Sequence, residues 1–350
     1  MTGAADTRVL VTGGAGFIGS HFIRSWLTAH PDTAVVNVDL LTYAGSCARL
    51  ADLAADRRYR FIQGDIGDAA CLRRALDGCQ LVVHCAAETH VDRSIVDATP
   101  FLRTNVEGTY TLLQESRAAG VRRFLHISTD EVYGPVEQGV VDERARLSPR
   151  SPYAASKAAG DLLAQSCWQT YGVPVIVARP TNIYGPGQFP EKFIPLCITN
   201  GFDSVPVPIY GDGLQRRAWL FVDDLCEALR ALLERGLLGE VYNIAGGAEQ
   251  TNRETASAIL SRLGRSAQLL QGVADRPAHD RRYAMDDAKL RALGWQPRIP
   301  FAQGLEATID WYRVHEAWWK PLTQQLREDA YHWLNRSPRT VAHQAPRPVG

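Results

Sequence analysis

The sequence predicts an α/β fold in which a doubly wound parallel sheet is followed by a smaller second domain. In the first half of the 350 residues, short apolar runs alternate with helical patterns. The runs are continuous rather than alternating, which is typical of parallel strands covered on both faces. From about residue 180 the pattern loosens into shorter elements and loops rich in Pro and Gly, which indicates the second domain.

Six apolar runs are the predicted strands of the sheet. In chain order they are RVLVT, AVVNV, YRFIQ, LVVHC, RFLHIS and PVIVA. Each of the first five is followed by a candidate helix, and the clearest helical patterns are IGSHFIRSWLTAH and SPYAASKAAGDLLAQSCWQTYG. This regular alternation of strands and helices predicts the doubly wound arrangement.

Composition and charge restrict the partners and the location of the chain. The 38 basic residues balance 38 acidic ones, so nothing favours binding to nucleic acid or to an anionic membrane surface. No stretch approaches the ~20 apolar residues of a membrane span and the N-terminus lacks a signal region, so we expect a cytoplasmic protein. The seven Cys are scattered without C-x-x-C spacing, so we expect reduced thiols and no metal site.

A glycine-rich turn, VLVTGGAGFIGSHF, joins the first strand to the first helix. Gly13, Gly16 and Gly19 allow a tight turn and let backbone N–H groups approach a pyrophosphate at the helix N-terminus. Asp39 closes the second strand twenty residues past Gly19, where a carboxylate bonds an adenosine ribose and repels a 2′-phosphate. This Rossmann-type fingerprint favours NAD over NADP, against the alternative of a structural turn with an incidental Asp.

Small and acidic residues stand at the ends of the third and fourth strands, where an open parallel sheet has its ligand crevice. Asp65 and Ile66 end the third strand, and Ala86, Ala87 and Glu88 follow the fourth. We expect these residues to line the crevice. For Glu88, a position next to a helix N-cap is an equally weighted alternative.

Two residue pairs carry the candidate chemistry. Tyr153 and Lys157 are four residues apart, hence on one face of a helix, where the ammonium can lower the pKa of the phenol and make it a base. Asp130 and Glu131 follow Thr129 directly after the strand RFLHIS. Adjacent carboxylates resist ionising together, so in a dry site one holds a proton while the other accepts one. The second pair is therefore a candidate general acid and base.

Several further segments make a closer resemblance visible. They are VVNVDLLTYAG, AAETHVDRSI, HISTDEVYG, SPYAASKAAGD, YGPGQFPEKFIPL, YNIAGG and VADRPAHDRRYAMD. From about residue 8 to residue 320 the chain resembles the nucleotide-sugar 4,6-dehydratases of the extended short-chain dehydrogenase/reductase family, above all those acting on dTDP-glucose. The Thr-Asp-Glu triplet distinguishes that family from related epimerases, decarboxylases and reductases.

The resemblance implies a hydro-lyase that oxidises C4 of an NDP-hexose, expels the C6 hydroxyl as water and returns the same hydride to C6. In the family pattern Tyr153 takes the C4 hydroxyl proton, Lys157 tunes it and holds the nicotinamide ribose, and Thr129 bonds the C4 oxygen. Glu131 removes the C5 proton and Asp130 protonates the departing hydroxyl. NAD is regenerated in each turnover, so it can stay bound.

The resemblance also implies the binding residues. For NAD they are Gly13, Gly16, Phe17, Ile18, Gly19, Asp39, Thr42, Asp65, Ile66, Ala86, Ala87, Tyr153, Lys157 and Asn182. For the sugar nucleotide they are Glu88, Thr129, Asn182, Glu191, Lys192, Pro208, Tyr210, Arg217, Asn243, Arg276 and His279. For several of the latter an ordinary surface or capping role is the alternative.

Three departures from the family pattern leave the substrate base open. Ile183 stands where an amide is usual, Ala218 where an Asp is usual and Ala278 where a Gly is usual. UDP-glucose or another NDP-hexose therefore stays an alternative to dTDP-glucose. A UDP-sugar 4-epimerase is a further alternative, although it has no use for the two acids, and a non-catalytic NAD-binding regulator has no use for either pair.

The resemblance predicts the domain organisation and the assembly. Residues 1–180 are expected to form the NAD-binding domain with the catalytic residues, 181–322 mainly the sugar-nucleotide-binding domain with segments returning to the sheet, and 323–350 a C-terminal extension. The stretch LNRSPRTVAHQAPRPVG predicts a loosely attached tail. A homodimer is expected, in which the helix of NVEGTYTLLQESRAAG and the helix of Tyr153 pair with their copies in a four-helix bundle.

Overall fold

The structure of the protein is a computed structural model that describes residues 7–247 and 249–335, with side chains up to residue 327. The predicted tail lies outside the described residues from residue 336 onward.

Strands and helices alternate through the first half of the chain and become shorter in the second. The strands are β1 Thr7–Thr12, β2 Thr33–Asp39, β3 Tyr59–Gln63, β4 Leu81–His84, β5 Arg123–Ile127, β6 Val175–Pro180, β7 Asn182–Tyr184, β8 Val207–Tyr210, β9 Arg216–Phe221, β10 Val241–Ile244, β11 Glu249–Thr251 and β12 Leu270–Val273. The helices are α1 Phe17–Ala29, α2 Ala69–Leu76, α3 Val91–Val96, α4 Thr99–Phe101, α5 Thr109–Ala118, α6 Pro152–Tyr171, α7 Phe193–Asp203, α8 Val222–Arg235, α9 Asn252–Arg262, α10 Ala288–Arg291, α11 Phe301–Val314 and α12 Glu316–Asn335. A π-helical segment, Leu102–Gly108, joins α4 to α5.

A seven-stranded sheet in the order β10-β6-β5-β4-β1-β2-β3 forms the centre of the fold. All of its neighbouring strands pair in parallel. The order runs outward from β1 in both directions, which is the doubly wound Rossmann arrangement. The predicted fold class is therefore confirmed.

Helices cover both faces of this sheet. On one face α1 packs with α8, and on the other α2, α5 and α6 pack together. Val9, Leu10 and Val11 are consequently all fully buried in β1. This double coverage is the physical reason why the strands read as continuous apolar runs.

Two details of the first half differ from the sequence prediction. The helix expected after β2 is a 3₁₀ segment, Cys47–Leu53, which is interrupted by the non-helical backbone of Leu50 (φ −124°). Asp65 and Ile66 lie just past the end of β3, because that strand closes at Gln63. Both differences lie in loops after strands and leave the sheet unchanged.

The second half builds a smaller layer next to the sheet. It contains the three-stranded sheet β11-β9-β7 and the pair β12-β8, packed with α7, α9 and α11 around an apolar cluster that includes the fully buried Tyr184 and Trp319. Strand β10 returns to the central sheet beside β6, as the sequence analysis expects for some later segments. The proposed boundary at residue 180 stays a prediction.

Three structural features bear on the location and chemistry of the chain. Within the described ranges, no helix is long and apolar enough to cross a membrane. No group of His, Cys, Asp and Glu residues in that part of the chain could hold a metal ion. All seven Cys are free thiols.

Candidate active site

A cleft of about 310 Å³ runs across the carboxyl ends of the central strands. Loops that follow β1, β2, β3, β4, β5 and β6 meet there because parallel strands end at the same edge. The predicted residues that line the cleft are Gly13, Gly16, Phe17, Ile18, Gly19, Asp39, Thr42, Asp65, Ile66, Ala86, Ala87, Glu88, Thr129, Glu131, Tyr153, Lys157, Asn182, Glu191 and Lys192.

The glycine-rich turn has no room for side chains. Gly13 adopts φ +70°, and a Cβ atom there would lie 2.6 Å from the backbone of Ala86. A Cβ atom on Gly19 would lie 2.3 Å from the carbonyl oxygen of Gly13. The turn therefore brings the N-terminus of α1 to the cleft, and no side chain caps that helix end. Uncapped N–H groups at a helix N-terminus fit a pyrophosphate.

Asp39 is held rigidly at the end of β2. Its two carboxylate oxygens accept hydrogen bonds from the backbone N–H groups of Ala15 at 2.9 Å and Leu41 at 2.8 Å. Burial raises the pKa of Asp39, and these two hydrogen bonds oppose that shift. A fixed carboxylate beside the glycine turn fits the ribose of NAD and disfavours a 2′-phosphate.

Helix α6 carries the first predicted pair. The Ser151 hydroxyl caps the helix by accepting from the N–H of Ala154, and Pro152 occupies the first turn. Tyr153 and Lys157 are both buried on one face of the helix, as the four-residue spacing predicts. The Lys157 ammonium donates to the carbonyl oxygen of Ile127 at 2.6 Å, which joins the helix to the end of β5.

The two members of this pair are shifted in opposite directions. Burial lowers the pKa of Lys157 to about 8, and the negative charge of Asp161 opposes this. Burial raises the pKa of Tyr153, with the charges of Glu131 and Asp130 acting in the same direction. Without a compensating positive charge the phenol therefore resists ionisation.

A 3₁₀ turn, Asp130–Tyr133, carries the second pair. The Thr129 hydroxyl begins the turn by accepting from the N–H of Glu131 at 3.3 Å. Gly134 ends it at φ +73°, where a Cβ atom would lie 2.3 Å from the carbonyl oxygen of Ser148. This tight turn puts two adjacent acids into different surroundings.

Asp130 is the more deeply buried acid, with 2% of its surface exposed. Burial, followed by the charge of Glu131, raises the pKa of Asp130 to about 7. Its Oδ1 accepts from the Thr129 hydroxyl at 3.1 Å, and its Oδ2 has no hydrogen-bond partner among the described residues. Asp130 can therefore hold a proton near neutral pH, and unlike Glu131 it does not itself line the cleft.

Glu131 faces the cleft and a group of cations. Burial raises the pKa of Glu131, while the positive charges of Arg276, Arg217 and Lys192 oppose the shift. The carboxylate form is thus supported on the side of the cleft where these cations lie. The pKa of Asp130 near 7 suits a proton donor, and the cations beside Glu131 favour the carboxylate that a proton acceptor requires.

Two of the predicted sugar-nucleotide residues meet at Asp92, a residue that the sequence analysis did not select. Its carboxylate accepts from the Tyr210 hydroxyl at 2.8 Å and from Arg276 Nη1 at 3.0 Å. Arg217 lies 4.5 Å from the ring centroid of Tyr283. The charges of both arginines act on Glu131, although neither arginine lines the cleft.

His279 and Pro208 lie near Tyr210, and none of the three lines the cleft. His279 Nδ1 lies 2.6 Å from an oxygen of Asp275, and its ring packs edge-on against Tyr210 with centroids 6.0 Å apart. Burial and the charge of Arg276 lower the pKa of His279 to about 4, so the ring is neutral near neutral pH. Pro208 is in β8, which ends at Tyr210.

Asn243 lies away from the cleft and bonds to other parts of the protein. It is fully buried in β10 and does not line the cleft. Its Oδ1 accepts from the Tyr133 hydroxyl at 2.7 Å, and its Nδ2 donates to the carbonyl oxygens of Val141 and Asp286. These bonds link β10 to the turn of Tyr133, and the predicted contact of Asn243 with the substrate stays a prediction.

Further residues of the cleft escaped the sequence analysis. Tyr43 and Arg93 both bind the carboxylate of Glu191, at 2.8 and 3.0 Å, and the Arg93 guanidinium lies 4.1 Å from the Tyr43 ring centroid. Asp92 and Arg93 are part of the quoted segment AAETHVDRSI, so a signal was present but not assigned to them. Tyr43 and Arg93 contact the cleft residue Glu191 from outside the lining, whereas the missed residues Arg49, Ser128, Thr181, Gln188 and Phe189 line the cleft themselves.

The three departures from the family pattern fall in different places. Ile183 lines the cleft, and Ala218 lies in β9, where its carbonyl oxygen accepts from the Thr181 hydroxyl. Ala278 has a positive φ of +53°, a conformation that favours glycine. The backbone at that position therefore keeps the shape that the usual Gly would allow.

Comparison with known proteins identifies the family. A family model described as the NAD dependent epimerase/dehydratase family matches residues 9–245. The chain belongs to the NAD-dependent epimerase/dehydratase family. Membership in this family confirms the predicted resemblance and the prediction of NAD as the cofactor.

Within this family, dehydratases are close relatives of the chain. A dTDP-glucose 4,6-dehydratase of Streptomyces niveus is 50% identical over 320 residues, which cover 90% of this chain and 95% of that protein. DesIV, a dTDP-glucose 4,6-dehydratase of Streptomyces venezuelae solved with NAD bound, is 51% identical with a TM-score of 0.89 and covers 90% of this chain and 100% of its own. A UDP-glucose 4-epimerase of Thermus thermophilus in complex with NAD is 31% identical, with a TM-score of 0.81 over 88% of this chain and 100% of its own.

Proposed function

We propose that the protein catalyses the NAD-dependent dehydration of dTDP-glucose to dTDP-4-keto-6-deoxyglucose. The observation that carries this proposal is the acid pair of the turn Asp130–Tyr133, of which Glu131 lines the same cleft as Tyr153 and Lys157. An epimerase needs a base for oxidation at C4 but no acid and base for loss of water. The similarity to dTDP-glucose 4,6-dehydratases at half identity supports the same conclusion.

The cofactor site has the features that NAD requires. The glycine turn, the uncapped N-terminus of α1 and the fixed carboxylate of Asp39 suit the pyrophosphate and the adenosine ribose. When bound, NAD accepts the C4 hydrogen as hydride and returns it to C6. The protein's own residues then have to move protons and hold the sugar in place.

Tyr153 is proposed as the base that takes the proton of the C4 hydroxyl. Its burial raises the phenol pKa, so ionisation needs a positive charge nearby, and the ammonium of Lys157, one turn along the same helix face, is proposed to supply that charge. Thr129, whose hydroxyl interaction lowers the pKa of Tyr153, is proposed to bond the C4 oxygen.

Asp130 and Glu131 are proposed to perform the elimination. Glu131 takes the C5 proton, which is acidic once C4 is a ketone, and Asp130 gives its proton to the departing C6 hydroxyl. A carboxyl with a pKa of about 7 is protonated often enough at neutral pH to serve as this acid. Glu131 then returns a proton to C5, so Tyr153 gains one proton and Asp130 loses one in a turnover.

The cations beside Glu131 are proposed to hold the diphosphate of the substrate. Lys192, Arg217 and Arg276 all act on the same carboxylate, so a diphosphate placed among them would be neutralised close to the reacting sugar. Tyr210, Pro208 and His279 are proposed to contact the nucleotide beyond it. Glu88, Asn182 and Glu191 line the cleft and are proposed to contact the substrate, Asn182 also the cofactor.

Product mass tests the proposed function. Purified protein is incubated with NAD and, separately, with dTDP-glucose, UDP-glucose and other NDP-hexoses. The expected result is loss of one water from dTDP-glucose with formation of a 4-keto product, more rapid than from the other sugars. An unchanged mass with an altered C4 configuration would indicate an epimerase, and no conversion of any sugar would contradict an enzyme.

A homodimer through α5 and α6 is part of the proposal. Leu102, Tyr110 and Leu162 on this side of the chain are 53%, 44% and 55% exposed, which leaves apolar area for a second copy to cover. Light scattering at micromolar concentration should give twice the mass of one chain, and the mass of one chain would contradict the dimer. A cytoplasmic location stays a prediction that cell fractionation can test.

A further inference from the structure

A buried ion pair lies directly behind the two catalytic pairs. Asp161 is fully buried on α6, one helical turn after Lys157. Arg179, which is 2% exposed on β6, donates to the two oxygens of Asp161 from Nε at 2.8 Å and from Nη2 at 3.1 Å. Both charges are therefore removed from water and bound to each other with two hydrogen bonds.

A contribution to the stability of the fold does not by itself explain a buried ion pair at this position. Removing two charges from water is costly, and well-packed apolar residues often replace a buried ion pair without loss of stability. The pair nevertheless joins β6 to α6, the helix that carries Tyr153 and Lys157. The residues that contact Asp161 and Arg179 lead to Lys157 on one side and to the turn of Asp130 and Glu131 on the other.

The first connection leads to Lys157. The ionisable groups that face this ammonium are Asp161 on its own helix, His84 and Cys85 at the end of β4, and His126 on β5. Burial lowers the pKa of His84 to about 3, lowers that of His126 as well, and raises that of Cys85 to about 12. All three are neutral near neutral pH, so Asp161 supplies the negative charge that favours the ammonium form.

The second connection leads to the acid–base turn. Arg179 Nη1 donates to the Tyr133 hydroxyl at 2.7 Å, and that hydroxyl donates to Asn243 Oδ1 at 2.7 Å. Tyr133 is the last residue of the four-residue turn that begins with Asp130. Because the turn is so short, the position of its last residue determines where the two acids point.

We propose that Asp161, Arg179 and Tyr133 are positioning residues that hold the two catalytic pairs at a fixed distance from each other. The inference rests on the proposed dehydratase function and deepens it. Oxidation and elimination act on neighbouring carbons of one bound sugar, so the distance between the pairs has to be fixed. Asp161 keeps Lys157 charged, Tyr133 fixes the turn, and Arg179 joins the two.

The Tyr133→Phe variant tests the link to the turn. It keeps the ring and removes the hydroxyl that joins Arg179 to Asn243. The kcat for dehydration should fall about 10-fold with an unchanged KM, because small misplacements of catalytic groups have effects of this size or larger. Oxidation should then be faster than elimination, so bound NADH should accumulate during turnover and be detectable by its absorbance.

Tyr242→Phe is the matched control for this variant. Tyr242 is the buried neighbour of Asn243 on β10, and its hydroxyl accepts from the N–H of Leu237 at 3.0 Å. Successive strand residues point to opposite faces of a sheet, so this hydroxyl is directed away from the network. The control variant should turn over like the wild type without accumulating NADH.

The Asp161→Asn variant tests the link to Lys157. Loss of the negative charge should lower the pKa of Lys157, so the alkaline limb of NADH formation, measured in single turnovers, should move to lower pH. A merely structural residue would lower the rate without moving this limb. Circular dichroism verifies folding, and if the variant does not fold, the Tyr133→Phe result decides alone.

Two results would overturn the inference. One is a Tyr133→Phe enzyme with wild-type kcat, or with a reduced kcat and no bound NADH. The other is a folded Asp161→Asn enzyme whose alkaline limb coincides with that of the wild type. A wild-type protein that does not dehydrate dTDP-glucose would overturn the proposed function and this inference together, whereas an active wild type with unaltered variants overturns the inference alone.

Discussion

The two catalytic pairs occupy different kinds of backbone. Tyr153 and Lys157 lie one turn apart on the regular helix α6, which gives them one common environment inside the protein. Asp130 and Glu131 are consecutive residues of a short 3₁₀ turn, which gives them two environments. A helix aligns side chains for joint action, whereas a tight turn separates neighbours so that one acid keeps a proton and the other accepts one.

The Tyr153→Phe variant should have the largest effect on turnover, because it should prevent both oxidation and elimination. Without the base at C4 no ketone forms, so the C5 proton is not acidified and Asp130 and Glu131 have nothing to eliminate. Turnover should fall by ~10²–10⁴-fold, the range for general acid–base groups, with no bound NADH after mixing with substrate. Rapid-mixing absorbance and product mass measure the two effects.

Tyr171→Phe serves as the control for Tyr153→Phe. Tyr171 is the last residue of the same helix, 45% exposed, and packs beneath the guanidinium of Arg117. The Tyr171→Phe variant should leave the rates of oxidation and elimination unchanged. A Tyr153→Phe enzyme that still forms bound NADH would show that another group takes the C4 proton.

The Asp39→Ala variant should have an intermediate effect that is confined to the cofactor. It removes the carboxylate that is fixed by Ala15 and Leu41 and that suits the adenosine ribose. Hydrogen bonds to charged groups contribute ~1.5–3 kcal/mol, so affinity for NAD should fall at least about 10-fold and the preference over NADP should shrink. Titration of both cofactors, followed by fluorescence, measures the change.

Asp32→Ala is the matched control, because Asp32 is an exposed acid just before the opposite end of the same strand. Its affinities should equal those of the wild type. If Asp39→Ala also leaves both affinities unchanged, the adenosine end of the cofactor does not lie at the end of β2.

The pH dependence should distinguish the two catalytic pairs, with a smaller effect on rate than the Tyr153→Phe and Asp39→Ala variants. Asp130 acts in its protonated form, so elimination should lose rate as pH rises through its pKa of about 7. Lys157 acts in its charged form, so oxidation should lose rate only as pH rises through about 8. Single-turnover measurements of NADH formation and of product formation across this range should show elimination declining first. If both steps lose rate at the same pH, or if NADH formation declines before product formation, the assigned charge states of Asp130 and Lys157 are contradicted.

Much of the fold could be read from the sequence, because local patterns determine it. Continuous apolar strands such as β1 reflect a sheet that is covered on both faces, and the spacing of Tyr153 and Lys157 is a property of any helix. The position of Asp39 at the end of β2 follows from the same pattern. These features need no knowledge of what packs against them.

The parts that could not be predicted depend on contacts between distant segments. Asn243 is a polar strand residue that could face a ligand, and its bond to Tyr133, 110 residues earlier, is visible only in the structure. Likewise, Asp161 finds its partner Arg179 on another element. Asp92 joins Tyr210 and Arg276 across more than 100 residues of sequence. No local pattern reports such pairings.

The separation of oxidation from elimination is tested most directly by the double variant Asp130→Asn with Glu131→Gln. It keeps the side-chain volumes and removes the proton donor and the proton acceptor, while Tyr153 and Lys157 stay in place. Mixed with dTDP-glucose, the holoenzyme should form bound NADH and then stall, with 4-keto-6-deoxy product reduced by ~10²-fold or more. Wild-type product formation, or the absence of bound NADH from a folded variant, would contradict the account.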